Sequence, residues 1–191
     1  MLKDLITSKT RVKLLLLFLD DPSAMYHVRE IVRRVSEEIN AVRRELILLE
    51  KKGILTREPR ANRVYYYLDK NYPFYFDLVR LHGKTNGLGA DIIKNRVKLG
   101  KIKYAMLSGK FVRKTREDAD AVDLLIIGTV VLPELTLIVK QEEAKRGAEI
   151  NYTVMTEEEF IFRKKRLDPF INGVISGSRI MLIGDEESML S

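Results

Sequence analysis

The sequence predicts a mixed α/β protein with an N-terminal α+β domain followed by a small α/β domain. Up to about residue 52, apolar residues recur at steps of three and four, as on one face of a helix. A turn flanked by apolar–polar alternation follows, which is typical of a hairpin. From about residue 103, strand-like and helix-like segments alternate, which favours an α/β domain. With 191 residues, of which 46% are hydrophobic, the chain is long enough for two small cores.

Three helices are predicted in the first domain. Ser8 can cap a helix that runs to about Leu19, and a second helix covers about Val28–Val35. Ser36 is predicted to cap a third helix that continues to about Lys52. The apolar residues of this third helix lie three and four positions apart and are expected to face the core; they are Ile39, Val42, Leu46 and Leu49.

A basic hairpin is predicted after the third helix. Ile54–Glu58 forms one strand, residues 59–63 form the turn and Val64–Leu68 forms the returning strand. Three arginines cluster in this segment, at positions 57, 60 and 63. Because cationic side chains bind phosphate, these arginines suit contact with a DNA backbone or a minor groove.

The polar residues of the third helix suit the edges of DNA bases. Asn40, Arg43 and Arg44 lie off the core stripe in the N-terminal half of the helix, the half that usually enters the major groove. Asparagine can form two hydrogen bonds with adenine, and arginine two with guanine. The predicted DNA-contact residues are therefore Asn40, Arg43, Arg44, Arg57, Arg60 and Arg63. The alternative is a solvated surface, because glutamates are intermixed with these arginines.

The distribution of charge points to the same region. Residues 1–70 carry 15 Lys and Arg against 10 Asp and Glu, and the whole chain has a net charge of +7. A basic excess in the first third of the chain favours a polyanionic partner there.

Residues 28–55, VREIVRRVSEEINAVRRELILLEKKGIL, resemble the winged-helix regulators of the arsenic-repressor-like superfamily. The matching pattern is a short helix, a turn and a helix that closes in Leu-Leu-Glu-Lys-Lys-Gly-Ile, and the resemblance extends over residues 12–68. It implies a winged helix-turn-helix domain over residues 1–70 that binds double-stranded DNA as a transcriptional regulator. Members are commonly homodimers on palindromic sites, and many sense a ligand. The chain has no cysteine, which excludes thiolate metal sensing.

Residues 71–85 are predicted as a connecting segment, and residues 86–191 as the second domain. A helix is predicted over Phe74–His82, a loop over Gly83–Gly89, because of its three glycines, and a helix over Ala90–Leu99.

The rest of the second domain alternates strands with helices. Four strands are predicted: Lys103–Leu107, Val122–Ile127, Ile150–Met155 and Ile180–Ile183. A helix is predicted over about Leu132–Arg146, and Thr156 with Glu159 forms a capping box for another helix.

Residues 104–128, YAMLSGKFVRKTREDADAVDLLIIG, are similar to the signature of the minimal nucleotidyltransferase family. That family has a strand, Gly-Ser to hold a triphosphate, and Asp-x-Asp opening an apolar strand to bind two magnesium ions. This chain has Ser108-Gly109-Lys110 in place of Gly-Ser, Ala121 at the first Asp and Asp123 at the second, and Asn151 in place of a third carboxylate. The resemblance therefore implies a nucleotidyltransferase-like fold without catalysis, metal or cofactor.

Three roles stay open for this domain. The first role is that of a dimerisation module. The second is a pocket for a nucleotide or another small anion beside the basic loop 110–116. The predicted pocket residues are Ser108, Gly109, Lys110, Asp120 and Asp123. The remaining alternative is an active metal-dependent nucleotidyltransferase that modifies a protein or a small molecule, in which a loop rearrangement brings Asp120 beside Asp123.

The composition predicts a cytoplasmic protein with no membrane partner. The absence of cysteine fits a reducing compartment. The longest apolar run, Leu14–Leu19, is far shorter than the ~20 residues that a bilayer requires, and the first residues lack a leader cleavage site.

Overall fold

The computed structural model describes residues 6–115, 118 and 120–191. Residues 1–5, 116, 117 and 119 lie outside the described residues. Residues 1–5 include part of the segment in which no leader cleavage site is predicted. The structure is mixed α/β with two sheets. The chain divides into two compact units, Met1–His82 and Gly83–Ser191.

The first unit contains three helices and a three-stranded antiparallel sheet. The helices are α1 (Lys9–Asp20), α2 (Val28–Val35) and α3 (Ile39–Lys51), and the strands are β1 (Tyr26–His27), β2 (Leu55–Arg60) and β3 (Arg63–Leu68). The strand order is β1-β3-β2, so β2 is an edge strand. The predicted order of three helices and a hairpin is confirmed.

The core of the first unit is formed by residues that recur at helical spacing. Phe18 of α1 is fully buried, and its ring lies 5.6 Å from that of Tyr26, centroid to centroid. Helix α3 buries Val42, Leu46 and Leu49 as predicted, whereas Ile39, in its first turn, is only half-buried. The side of α3 opposite this stripe therefore faces outward.

The prediction that Ser36 caps α3 is wrong. Ser36 adopts a left-handed conformation (φ 52°) and ends α2, because its N–H donates to the carbonyl of Val32. The turn that follows displaces the start of α3, and the carboxylate of Glu38 accepts hydrogen bonds from the N–H groups of Asn40 (2.9 Å) and Ala41 (3.0 Å). These backbone hydrogen bonds lower the pKa of Glu38.

The hairpin is tighter than predicted. Its strands extend to Arg60 and from Arg63, so the turn holds only Ala61 and Asn62 instead of residues 59–63. Ala61 has a positive φ of 49°, as such a short turn requires. Pro59 is accommodated within β2 because that strand lies at the sheet edge.

The second unit contains a four-stranded mixed sheet and several helices. The strands are β4 (Gly100–Ser108), β5 (Leu124–Val130), β6 (Tyr152–Met155) and β7 (Arg179–Ile183), in the order β6-β5-β4-β7. Only β5 and β6 are parallel among these pairs. The helices are α4 (Tyr75–Thr85), which contains the division between the units, α5 (Gly87–Lys94), α6 (Gly109–Val112), α7 (Leu132–Arg146), α8 (Glu157–Lys165), α9 (Pro169–Ser176) and α10 (Glu186–Leu190).

The two central strands are buried. Tyr104–Leu107 of β4 and Leu124–Ile127 of β5 are shielded from solvent, which is why both read as continuous apolar runs. On one face of the sheet, Met106 and Leu125 pack with Phe160 of α8 and Ile171 of α9. This layer of helices holds the ends of β4 and β5 in place.

The predicted loop over Gly83–Gly89 is wrong. Helix α4 continues to Thr85, and α5 begins at Gly87. A Cβ atom on Gly89 would overlap the carbonyl oxygen of Gly83, so these glycines allow two backbones to approach closely instead of forming a loop.

Other predicted bounds shift by a few residues. The helix predicted to end at Leu99 ends at Lys94, and the strand predicted from Ile150 starts at Tyr152. The capping box is confirmed at its first residue, because Thr156 accepts a hydrogen bond from the N–H of Glu159 (3.1 Å). No helix among the described residues is long and apolar enough to cross a membrane.

Gly128 gives a test of how β4 and β5 pair. It has φ +143°, and a Cβ atom there would overlap the carbonyl oxygen of Lys101. Gly128→Ala is therefore expected to destabilise the protein by about 1–3 kcal/mol in urea unfolding followed by circular dichroism. Gly173→Ala on α9, where nothing lies within 4 Å, is the control and is expected to be neutral or slightly stabilising. Equal stability of the two variants would contradict this account.

Candidate nucleic-acid interface

Helix α3 presents an exposed polar face opposite its core stripe. The residues on this face lie three or four positions apart over three turns, and all are exposed; they are Asn40, Arg43, Arg44, Ile47 and Lys51. An α-helix with side chains is about 10–12 Å wide, which matches a major groove about 12 Å wide. The first three of these residues are the predicted base-contact residues, and the structure brings them together on one surface.

The two arginines of this face are available for an external partner. Among the described residues, no ion pair engages Arg43 or Arg44. By contrast, Arg34 of α2 donates to Glu30 at 2.9 Å and lies 5.0 Å from the centre of the Tyr26 ring. A guanidinium that is not committed within the fold can form the two parallel hydrogen bonds that guanine accepts.

The rotation of α3 is restrained by a partly buried contact between Glu45 and the start of α1. The carboxylate of Glu45 accepts hydrogen bonds from Ser8 Oγ (2.6 Å) and Arg11 Nε (2.7 Å). Burial by itself would raise the pKa of Glu45, but the hydrogen bonds from Arg11 and Ser8 and the charge of Arg11 outweigh it, and the pKa is lowered. This contact holds α3 in one orientation against the start of α1.

The hairpin carries the remaining predicted DNA-contact residues. Arg57, Arg60 and Arg63 are all exposed. Arg60 donates to Glu58 (2.6 Å), and its guanidinium lies 5.7 Å from the centre of the Tyr65 ring. Arg60 and Arg63 are directly opposite each other across the strand pair, where like charges repel. A bound phosphate would relieve this repulsion.

Two residues of the α3 face were not among the predicted DNA contacts. Ile47 is 59% exposed, and Lys51 extends the cationic face toward the end of the helix. The signal was present in the sequence, because both positions fall on the same helical stripe as Asn40 and Arg44.

The second unit contains a cavity of about 390 Å³ next to the ends of β4 and β5. The structure places four of the five predicted pocket residues in its lining, namely Ser108, Lys110, Asp120 and Asp123. Pro169 and Phe170 of α9 also line it. The fifth predicted residue, Gly109, does not line the cavity.

The backbone amides of the Ser-Gly pair are used within the fold. The N–H of Ser108 donates to the carbonyl of Asp123 (2.8 Å), and that of Gly109 donates to the carbonyl of Ser178 (2.7 Å). A Cβ on Gly109 would overlap Ser178 Oγ, so the glycine serves close packing at this point. Because both N–H groups already donate to carbonyl groups of the fold, they do not indicate a triphosphate site.

Asp123 joins the loops that lead into β5 and β6. It is 1% exposed, and its Oδ2 accepts a hydrogen bond from the N–H of Asn151 (3.0 Å). The side-chain amide of Asn151 donates in turn to the carbonyl of Ala121 (3.2 Å). Asn151 lies immediately before β6, whereas the sequence predicted it within that strand. The two side chains therefore connect the segments that precede β5 and β6.

The described lining of the cavity is acidic. Asp118, Asp120 and Asp123 stand against one lysine, Lys110, so its charge does not favour the predicted anionic ligand. Arg116, the last residue of the predicted basic loop, lies outside the described residues. Among the described residues, no group of three or more His, Asp or Glu is placed to hold a metal ion.

Comparisons with known proteins identify no family. No protein-family model matches the chain, and no curated protein matches it significantly. Among solved structures, 44% of the chain is similar to 80% of the chain of reduced HlyU from Vibrio cholerae N16961, with 19% sequence identity and a TM-score of 0.35. A likeness at this level carries no argument for the function of this chain.

The Glu45 contact predicts how stability depends on pH. Glu45→Gln is expected to destabilise the protein by about 1–2 kcal/mol at neutral pH, because it removes a charge that accepts hydrogen bonds from Ser8 and Arg11. Since the folded pKa of Glu45 is lowered, its contribution is present above the ordinary Glu value of about 4.3 and is lost as pH falls through the lowered pKa.

Urea unfolding at several pH values measures this difference. Glu50→Gln, on the same helix and without an ion pair among the described residues, is the matched control and is expected to change stability little at any pH. A difference between Glu45→Gln and the wild type that stays constant into acid would contradict the assignment.

Proposed function

We propose that the first unit is a winged-helix DNA-binding domain and that the protein is a sequence-specific transcriptional regulator acting on double-stranded DNA in the cytoplasm. The order α1-β1-α2-α3-β2-β3 is that of a winged helix. The observation that carries the proposal is the exposed face of α3, where Asn40, Arg43 and Arg44 point away from the core. The arginine-bearing hairpin that follows supports it.

The two surfaces have different tasks in this proposal. Helix α3 enters the major groove, and Asn40, Arg43 and Arg44 read base edges. Arg57, Arg60 and Arg63 of the hairpin bind phosphate or enter the adjacent minor groove, which contributes affinity that is independent of sequence. Arg60 and Arg63 lie directly opposite each other at the tip of the hairpin, which places two cations where the proposed phosphate contact is made.

We propose that the second unit is a nucleotidyltransferase-like domain without catalytic activity that pairs two copies of the chain. The roles of Asp123 and Asn151 in joining the starts of β5 and β6 support a structural function. Ile161, Phe162 and Leu167, in and just after α8, are exposed apolar side chains that suit contact with a second copy. A two-fold dimer would place two α3 helices on the halves of a palindromic site. The cavity beside Ser108 and Asp123 is available for an effector in this arrangement.

DNA binding is tested by fluorescence anisotropy with a duplex selected from a random pool and with its scrambled version. The dissociation constant is expected to rise steeply with salt concentration, because bound phosphates release counterions. Arg43→Ala is expected to reduce discrimination between the two duplexes about 5- to 100-fold. Arg63→Ala is expected to weaken both duplexes equally and to lower the salt slope by about one.

Lys140→Ala, which removes an exposed lysine of α7, is the control for a general loss of positive charge. It is expected to leave discrimination and the salt slope unchanged. Binding without salt dependence and without preference between the duplexes would refute the proposed function.

The absence of catalysis is tested with labelled ATP and Mg²⁺. The wild-type protein is expected to transfer no label to itself, to other proteins or to small molecules, because Ala121 and Asn151 stand in place of two metal-binding carboxylates. A labelled product that disappears in a folded Asp123→Asn variant would show that the second unit is an active nucleotidyltransferase.

A further inference from the structure

Ile47 is a large apolar side chain in the middle of a cationic surface. It is 59% exposed, and it is the only exposed large hydrophobic residue on the described helices α1, α2 and α3. On the helical surface, Arg43 and Arg44 lie one turn before it and Lys51 lies one turn after it. The side chain of Ile47 does not pack in the hydrophobic core, because the core stripe of α3 lies on the opposite side of the helix.

The neighbouring charges identify the kind of surface that covers Ile47. A second copy of this face would bring Arg43, Arg44 and Lys51 against the same cations, which repel. A polyanion that also carries an apolar group complements this face, because its charges pair with the cations and its apolar group contacts Ile47. Isoleucine is β-branched and has one dominant χ1 rotamer in a helix, so it loses little side-chain freedom on contact.

The major groove of DNA offers one apolar group, the C5-methyl of thymine. We infer that Ile47 contacts a thymine methyl in the major groove and that this contact sets a preference for thymine in the recognised site. The inference rests on the proposed DNA-binding function and adds an apolar element to its base reading. Arg43 and Arg44, one turn before Ile47, then read the neighbouring base pairs.

Replacing each thymine of the selected duplex in turn by deoxyuridine tests the contact, because deoxyuridine keeps every hydrogen-bonding group and lacks only the methyl. The wild-type protein is expected to lose about 3- to 5-fold in affinity at one or two positions, the effect of one buried methyl group. Ile47→Ala is expected to bind the parent duplex more weakly by a similar factor and to show no loss at these positions.

A second arm uses cytosine at the sensitive position. Replacing the thymine by cytosine weakens binding, and 5-methylcytosine is expected to recover about 3- to 5-fold for the wild type, because it restores a methyl group at the same place. Ile47→Val, which keeps the branch at Cβ, is expected to retain part of both methyl effects. Alanine is the best helix former, so Ile47→Ala is expected to keep α3 folded, which far-UV circular dichroism checks.

The outcomes separate this inference from the function on which it rests. Salt-dependent binding that is insensitive to deoxyuridine at every position would overturn the Ile47 contact and leave the DNA-binding proposal standing. A deoxyuridine effect of equal size in Ile47→Ala would overturn it as well, because another group would then contact the methyl. Failure of the wild-type protein to bind any duplex would refute both.

Discussion

The rotation of α3 about its own axis is the constraint on which the proposed DNA-binding surface depends. Val42, Leu46 and Leu49 are buried, and each residue step turns the helix by about 100°. A rotation of that size would carry the arginines toward the core and expose leucines. Glu45 adds a second restraint at the helix edge through Ser8 and Arg11. The direction of the polar face is thus a consequence of how the core packs.

In the proposed DNA-binding mode, the cap of α3 and the hairpin determine where phosphates of the DNA backbone can bind. Glu38 already occupies the first free amides of α3 with its own carboxylate, which also repels phosphate. The helix N-terminus is therefore a poor phosphate site in this protein. The hairpin is the better candidate, because its two-residue turn concentrates Arg60 and Arg63 at one end of the strand pair. The proposed division between a base-reading helix and a phosphate-binding hairpin follows from this local geometry.

In the second unit, Asp123 supports two interpretations, a metal ligand or a structural hydrogen-bond acceptor, until its bonding partners are known. In the sequence, the resemblance to nucleotidyltransferases aligns Asp123 with one member of a metal-binding carboxylate pair. In the structure, it is buried and bonded to the backbone of Asn151, so it joins two chain segments that precede neighbouring parallel strands. The amides of Ser108 and Gly109 are likewise engaged in the fold. Beside them lies a cavity whose described lining is acidic.

The sequence by itself determined the helices and hairpin of the first unit and the outward face of Asn40, Arg43 and Arg44. Both follow from periodicity, which is a local property of backbone geometry. The tertiary structure alone decided that Glu38 and not Ser36 caps α3, because the cap depends on the conformation of the turn. It also decided which side chains meet across long separations, as Glu45 meets Arg11, because such contacts depend on how the chain closes on itself and leave no periodic signal.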